Sequence, residues 1–268
     1  MVAMQELLAK HDAVIAMPHR GRLNLMTGLL GYPLEAIFAK LKGEKELPEG
    51  IPGSGDVLSH LWLDHKHSNG RHYRLLPNPS HLEAVNPVHM GVCRSTPSSL
   101  PIQIHGDAAF AGQGVIQETL QLSQLPHFSV SGTVHLIVNN QLGFTTPSHF
   151  GRSTEWASDP IRLLSSPVFH VSGDDPVEIV RATRAALEYR NQFKKDTLID
   201  IICYRRWGHN ELDEPAYTQP LMYKMIRERP LPGTLFAQRI NFVRRYECLY
   251  IYVFRKLQRT FAKSITQG

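Results

Sequence analysis

Three cysteines, Cys93, Cys203 and Cys248, are all that the 268 residues contain, and no two of them form a CxxC pair. So sparse and odd a set excludes a disulfide scaffold and a cysteine-built structural zinc site, and it fits a reducing compartment. Long apolar runs are missing as well: none approaches the roughly 18 residues that a membrane span needs. The N-terminal MVAMQELLAKHDAVIAM has no basic start followed by a long apolar stretch and is not Arg- and Ser-rich. Neither a secretory signal nor another targeting segment is therefore expected in this chain. No internal repeat or low-complexity segment stands out. Excess positive charge is also absent from the body. From Leu235 onward seven Arg and Lys face one acid, Glu247, a net of +6, which leaves −1 of the chain's +5 for everything before it. The pI of about 9.1 belongs to the tail, and no nucleic-acid partner is expected for the main domain. What remains, 42% hydrophobic and 20% charged residues, is an ordinary composition for a globular protein.

The elements that are present alternate between strand and helix. Ala13 to Met17 (AVIAM) reads as a short buried strand running into the polar turn Pro18-His19-Arg20-Gly21-Arg22. Leu23 to Leu30 and Leu34 to Leu41 are apolar at helical spacing, broken by Gly31 and Pro33. Lys42 to Gly70 lacks periodicity and reads as a long irregular excursion. Pro77 to Glu83 places Ser80 and His81 on a rigid turn, and Val92 to Leu100 reads as a polar connection. A strand then starts at Pro101 and ends in His105-Gly106-Asp107. It is followed by a small-residue loop (Ala108 to Gly114), a helix, a second apolar run (Val134 to Val138) and Asn139-Asn140. Further on, Val168 to Val171 predicts a strand, Asp175 an N-cap with Pro176 at the first helical position, and Thr197 to Tyr204 another strand. This order predicts an α/β fold, a parallel sheet with helices on both faces.

A carboxylate (Asp107) and a carboxamide (Asn140) thus fall at the C-terminal ends of two neighbouring strands, where open parallel sheets bind ligands. Their oxygens are hard donors suited to Mg²⁺, which usually keeps a phosphate among its ligands. The pair reads either as a metal–diphosphate site or as two ordinary strand-end turns. Histidine is abundant, at 14 residues. His19, His81 and His105 each follow a strand or rigid turn and are the candidates for proton transfer. Arg20 and Arg22 suit phosphate or carboxylate, or a structural role. A zinc site from His60, His65 and His67 lacks a known ligand spacing.

Taken together, MPHRGRLN (Met17 to Asn24), GSGDV (Gly53 to Val57), NPSHLE (Asn78 to Glu83), HGDAAFAGQG (His105 to Gly114), NNQLGFTT (Asn139 to Thr146) and GHNELDEP (Gly208 to Pro215) carry a resemblance. From about Val14 to Pro230 the chain resembles the thiamine-diphosphate-dependent decarboxylating subunits of the 2-oxoglutarate dehydrogenase family, and its intervening residues look most like the 2-oxoadipate dehydrogenase branch. The resemblance implies a transketolase-like, thiamine-diphosphate-binding fold. It implies Mg²⁺ held by the Asp107 carboxylate, the Asn140 side chain and the Leu142 backbone carbonyl, all in contact with the cofactor, as is Arg20. His19 and His81 are implied near a bound 2-oxo acid, and His105 beside the cofactor motif.

The implied reaction is oxidative decarboxylation of 2-oxoglutarate or 2-oxoadipate, with acyl transfer to a lipoyl group. The implied partners are a lipoyl-bearing acyltransferase, dihydrolipoyl dehydrogenase and a second copy in a homodimer, in the mitochondrial matrix if the source is eukaryotic. The family's proteins are much longer. Residues 1–234 are expected to be the diphosphate-binding domain, without the family's N-terminal segment and second catalytic domain, and 235–268 a basic aromatic tail unlike the family. On that reading the chain alone is inactive. The alternative is a non-catalytic remnant that binds cofactor or a full-length subunit without turnover.

Overall fold

The computed structural model describes residues 1–44, 50 and 55–240. The chain opens with α1 (Val2–Leu8), β1 (Ala13–Ala16), α2 (Arg22–Gly28) and α3 (Leu34–Leu41). A 3₁₀ turn (Leu58–His60), β2 (Leu63–Lys66) and β3 (His72–Leu75) lead to α4 (Val85–Ser95) and β4 (Leu100–Gly106). Next come α5 (Asp107–Gly112), α6 (Gly114–Leu122) and β5 (Val134–Asn139). A small hairpin of β6 (Leu142–Gly143) and β7 (Thr146–Pro147), the short α7 (Ser148–Gly151) and a 3₁₀ turn (Asp159–Leu164) follow. The chain continues through β8 (Val168–Ser172), α8 (Pro176–Phe193), β9 (Thr197–Ile202), α9 (Pro220–Glu228) and α10 (Pro232–Arg239).

The main sheet has the order β2-β3-β1-β4-β5-β9-β8. Every pairing in it is parallel except β2 with β3. Side chains alternate across it, as the strand pleat requires. Ile15, Ile102, Leu136 and Ile199 join Leu7, Met26, Ile179 and Ala186 from α1, α2 and α8 on one face. Ile137 and Leu198 meet Phe110, Ile116, Leu120 and Ile161 on the other. There Val14 and Ala16 also pack on Val85 and Cys93 of α4. The expected α/β architecture with helices on both faces is the one observed.

Three local expectations are corrected. The excursion from Lys42 to Gly70 contains a 3₁₀ turn and β2, so the sheet carries one antiparallel edge strand. The presumed loop Ala108–Gly114 is largely α5, because Asp107 starts a helix directly at the end of β4. The connection Val92–Leu100 starts inside α4, which runs to Ser95 and whose buried face includes the polar Asn86 and His89, hiding its amphipathic pattern. α8 begins as expected, with the Asp175 side chain accepting from the N–H groups of Val177 and Glu178. Residues 241–268, most of the basic aromatic tail, lie outside the described residues, as do Gly53 and Ser54 of GSGDV. Among the described residues no helix is long and apolar enough to cross a membrane.

His89 gives the fold a pH dependence. It is fully buried; its Nε2–H donates to the Val14 carbonyl at 3.0 Å, and its Nδ1 accepts from the Gln103 amide at 3.0 Å. Burial pushes its pKa down to about 4, only partly opposed by the bond to Val14. The unfolded chain, where the value is ordinary, takes up the proton first. Stability is therefore whole above about pH 6.5 and falls as pH drops toward 4, by about 2–3 kcal/mol on this account. Urea denaturation between pH 7 and 4.5 reads this loss, and a His89→Gln variant is expected to lack that part of the slope.

Candidate functional site

Strand β1 is followed in the sheet by β3 on one side, and β4 by β5 on the other. The chain therefore leaves β1 and β4 in opposite directions, and the crevice beyond their C-terminal ends is where such sheets bind ligands. A cleft of about 140 Å³ opens there, lined by His19 and Arg20 from the turn after β1, His105 and Asp107 at the end of β4, and Asn140 and Leu142 beyond β5. These are six of the seven residues that the resemblance assigns to the site. The seventh, His81, is exposed on the turn before α4 and does not line the cleft, although its neighbour Leu82 does.

Asp107 is only 2% exposed. Burial raises its pKa, opposed by N–H groups of the backbone, including that of Asn140, and by Arg152. The nearest Arg152 nitrogen stands 4.0 Å away. A buried carboxylate so thinly compensated favours a cation beside it. The amide oxygen of Asn140 accepts the Leu142 N–H at 3.0 Å, which fixes the turn and leaves that oxygen a second lone pair. Gln141 and Phe144 hold positive φ, 65° and 56°, a conformation that costs free energy and persists where its surroundings enforce it. Nearby, the Nε of Arg152 is buried with no hydrogen-bond partner among the described residues. It borders a cavity of about 200 Å³ that also touches Asp107 and Ser148. Hard oxygens, a buried anion and an idle guanidinium nitrogen fit a Mg²⁺–diphosphate pair.

The turn sits tightly on α5. A Cβ added at Gly143 would lie 2.9 Å from the Cβ of Ala108. Gly143→Ala is expected to cost about 1–3 kcal/mol by overpacking. Adding Ala108→Gly should restore part of the loss, as thermal melts of the two variants and the double variant would read.

The histidines have different surroundings. Burial lowers the pKa of His19, and Arg20 and His60 lower it further, so it is neutral at pH 7 and available for proton transfer. His105 is almost fully buried. Its Nδ1 contacts Glu83 Oε2 at 2.8 Å, and its Nε2 contacts His135 Nδ1 at 3.1 Å. His135 in turn reaches Asp196 at 3.4 Å. This buried row fixes the His105 ring from behind. The zinc reading has no support: His60 pairs with Asp56 at 3.1 Å. Among the described residues no cluster of three or more His, Cys, Asp or Glu could hold a metal ion. The set at Asp107 is of another type, one carboxylate with an amide and a backbone oxygen.

Arg205 and His209 belong to the polar stretch after β9, Arg205 to Glu211, which the sequence marks as suited to line a site without giving either residue a role; both line the cleft. Arg205 is buried and donates to the Phe144 carbonyl at 3.0 Å and to the Tyr223 hydroxyl at 3.2 Å. Arg20 donates to the His209 carbonyl at 2.8 Å. The available signal was their place after β9, at the same end of the sheet as the other ligands. Arg20 and His209 also line an adjoining cavity of about 800 Å³. Arg22 is not in the site. It is fully buried and donates to the carbonyls of Leu61, Met17 and Leu76.

Comparison with known proteins gives the family. The sequence profile of the dehydrogenase E1 component family matches residues 1–242. The 2-oxoadipate dehydrogenase complex component E1 of Homo sapiens is 51% identical over 251 residues, covering 85% of this chain and 27% of the relative. Its counterpart in Danio rerio is 51% identical over 253 residues, covering 86% and 28%. The 2-oxoglutarate dehydrogenase E1 component of Brucella suis is 45% identical over 250 residues, covering 85% and 25%. The chain thus spans about a quarter of the length of these curated relatives. A profile match over most of the chain, with identity near one half, shows the family: this chain belongs to the dehydrogenase E1 component family.

Proposed function

We propose that this chain forms the diphosphate- and Mg²⁺-binding part of a thiamine-diphosphate-dependent 2-oxo acid dehydrogenase E1 component. The whole protein would carry out oxidative decarboxylation of 2-oxoadipate or 2-oxoglutarate and pass the acyl group to the lipoyl arm of a partner acyltransferase. The observation that carries this reading is the convergence of Asp107, Asn140, Leu142, Arg20, His19 and His105 on one cleft at the sheet's switch point. The relatives' names support the substrate class. Their description as components of a complex supports acyltransferase and dihydrolipoyl dehydrogenase partners. A homodimer and a mitochondrial matrix location in a eukaryote belong to the same proposal.

When bound, thiamine diphosphate supplies the nucleophilic carbon and the electron sink for decarboxylation. The chain's own groups bind and orient. Asp107 would provide the anionic oxygen for Mg²⁺, with Asn140 and the Leu142 carbonyl completing the protein's share. Arg20, already directed to the crevice by His209, offers guanidinium nitrogens to phosphate or to a substrate carboxylate. Neutral His19 can accept or return a proton at either ring nitrogen. With both ring nitrogens engaged by Glu83 and His135, His105 would form a rigid wall of the cleft rather than offer a nitrogen to the cofactor. His81, exposed nearby, would act on the substrate side.

Isothermal titration of the purified chain with thiamine diphosphate tests the reading. Binding is expected in the presence of Mg²⁺ and not in its absence. No binding in either condition, or equal binding in both, contradicts it.

A further inference from the structure

Beyond the groups that line the cleft, a second set stands behind the turn that carries Asn140 and Leu142. Asp200, on β9, is fully buried. Its Oδ1 accepts the Asn139 amide N–H at 3.0 Å, and its Oδ2 faces His170 Nδ1 at 3.1 Å. The two flanking strands supply these partners: His170 on β8 is in register with Asp200, and Asn139 lies on β5 two residues beyond Ile137, the residue paired with Asp200 there. His170 is partly open to solvent, its side chain 29% exposed, and its ring lies 4.1 Å from that of Trp156.

The Asn139 amide passes the constraint on. With its nitrogen directed at Asp200, its oxygen is left to accept the Gln141 N–H at 3.2 Å. Gln141 is the residue at positive φ, and its own side chain donates to the Cys203 carbonyl at 2.8 Å. Flipping the Asn139 amide would lose both of its bonds, because each would then join like to like. The orientation of Asn139 therefore depends on a hydrogen-bond acceptor at Asp200, and the left-handed turn depends on Asn139. A carboxylate with no contact to water needs both oxygens satisfied to stay fixed, and the second is satisfied by His170.

We propose that His170 and Asp200 are positioning residues for the metal–diphosphate turn, acting from the edge of the sheet through Asn139 to hold Asn140 and Leu142 in binding geometry. The inference rests on the cofactor reading above and adds to it two residues outside the cleft. Groups that orient metal ligands from behind typically matter by 10- to 100-fold in affinity. The relevant property of His170 is one N–H at the Nδ1 position. An asparagine can place an amide N–H there; a leucine cannot.

The test uses the full chain and thiamine diphosphate titrated in saturating Mg²⁺. His170→Leu is expected to weaken binding by about tenfold or more, and His170→Asn to remain within about twofold of the native chain. Hydrogen exchange of the backbone around 139–144, measured without ligand, is expected to quicken in His170→Leu and not in His170→Asn. If His170→Leu does not fold, His170→Gln replaces it, since its amide reaches the Nε2 position instead. Native-like affinity and exchange in His170→Leu would overturn the inference. So would equal weakening in His170→Leu and His170→Asn, which would assign the effect to packing on Trp156. Absence of binding by the native chain would sink the cofactor reading itself, and this inference with it; that outcome is read from the native chain alone.

Discussion

Asp107→Ala is expected to abolish the stabilisation that Mg²⁺ and thiamine diphosphate together give the native chain. For a ligand at 100 times its dissociation constant that stabilisation is about 2.7 kcal/mol, several degrees in melting temperature for a domain of this size. The reason is local. Asp107 is the one anionic oxygen donor among the three proposed metal ligands, and a buried Mg²⁺ without it would face only neutral amide and carbonyl oxygens. The free chain should respond in the opposite direction. Burial disfavours the charged form of Asp107, and Arg152 is 4.0 Å away. The isosteric Asp107→Asn variant removes that penalty and is expected to melt no lower than the native chain without ligand, while losing the ligand shift. A substitution that leaves the free protein intact and removes the response separates a binding role from a folding role. Melting curves of both variants, with and without the two ligands, provide the comparison.

Arg22→Met is expected to be the most damaging single change to the fold, at about 3–4 kcal/mol. The guanidinium joins the end of β1 at Met17, the segment before β2 at Leu61 and the segment after β3 at Leu76. Three chain segments thus meet on one side chain with no exposed surface. Burial lowers its pKa to about 10, so it remains charged at neutral pH. Methionine fills much of the volume but leaves three carbonyls without their donor, and water has no ready access to replace it. Arg22→Lys should recover little, because one ammonium on a flexible stem cannot span the three acceptors. In urea the midpoint should fall with the slope unchanged, the mark of lost stability rather than altered compactness. The turn after β1 carries His19 and Arg20, so the same variant should also weaken cofactor binding.

The sequence made β4, β5 and β9 legible because all three are largely apolar segments with few polar interruptions and with chemistry at their C-terminal ends. It made α8 legible through the Asp175 cap and Pro176. It hid α4, whose buried positions include Asn86 and His89 as well as Val85, Met90 and Cys93. Those polar groups are inside because they meet others there, notably Gln103 at His89 and Glu83 at Asn86. Such pairings depend on tertiary contact, and no local pattern announces them. The same holds for the row from Glu83 through His105 and His135 to Asp196, and for Asp200 between His170 and Asn139. β2 was hidden for a different reason: its four residues, LDHK, form a half-exposed edge strand with no apolar stripe. The cleft was legible as far as motifs fall at strand ends. Arg205 and His209 required the fold, since the loop after β9 folds back over Phe144.

In the proposed site Asp107 holds a divalent cation that in turn holds a diphosphate. The most direct measurement replaces Mg²⁺ with paramagnetic Mn²⁺ and records the ³¹P relaxation of thiamine diphosphate bound to the chain. Strong broadening of both phosphorus signals, above that of the free metal–cofactor complex, is expected with the native chain, and loss of that excess with Asp107→Ala. Equal broadening with the native chain and with Asp107→Ala would contradict it.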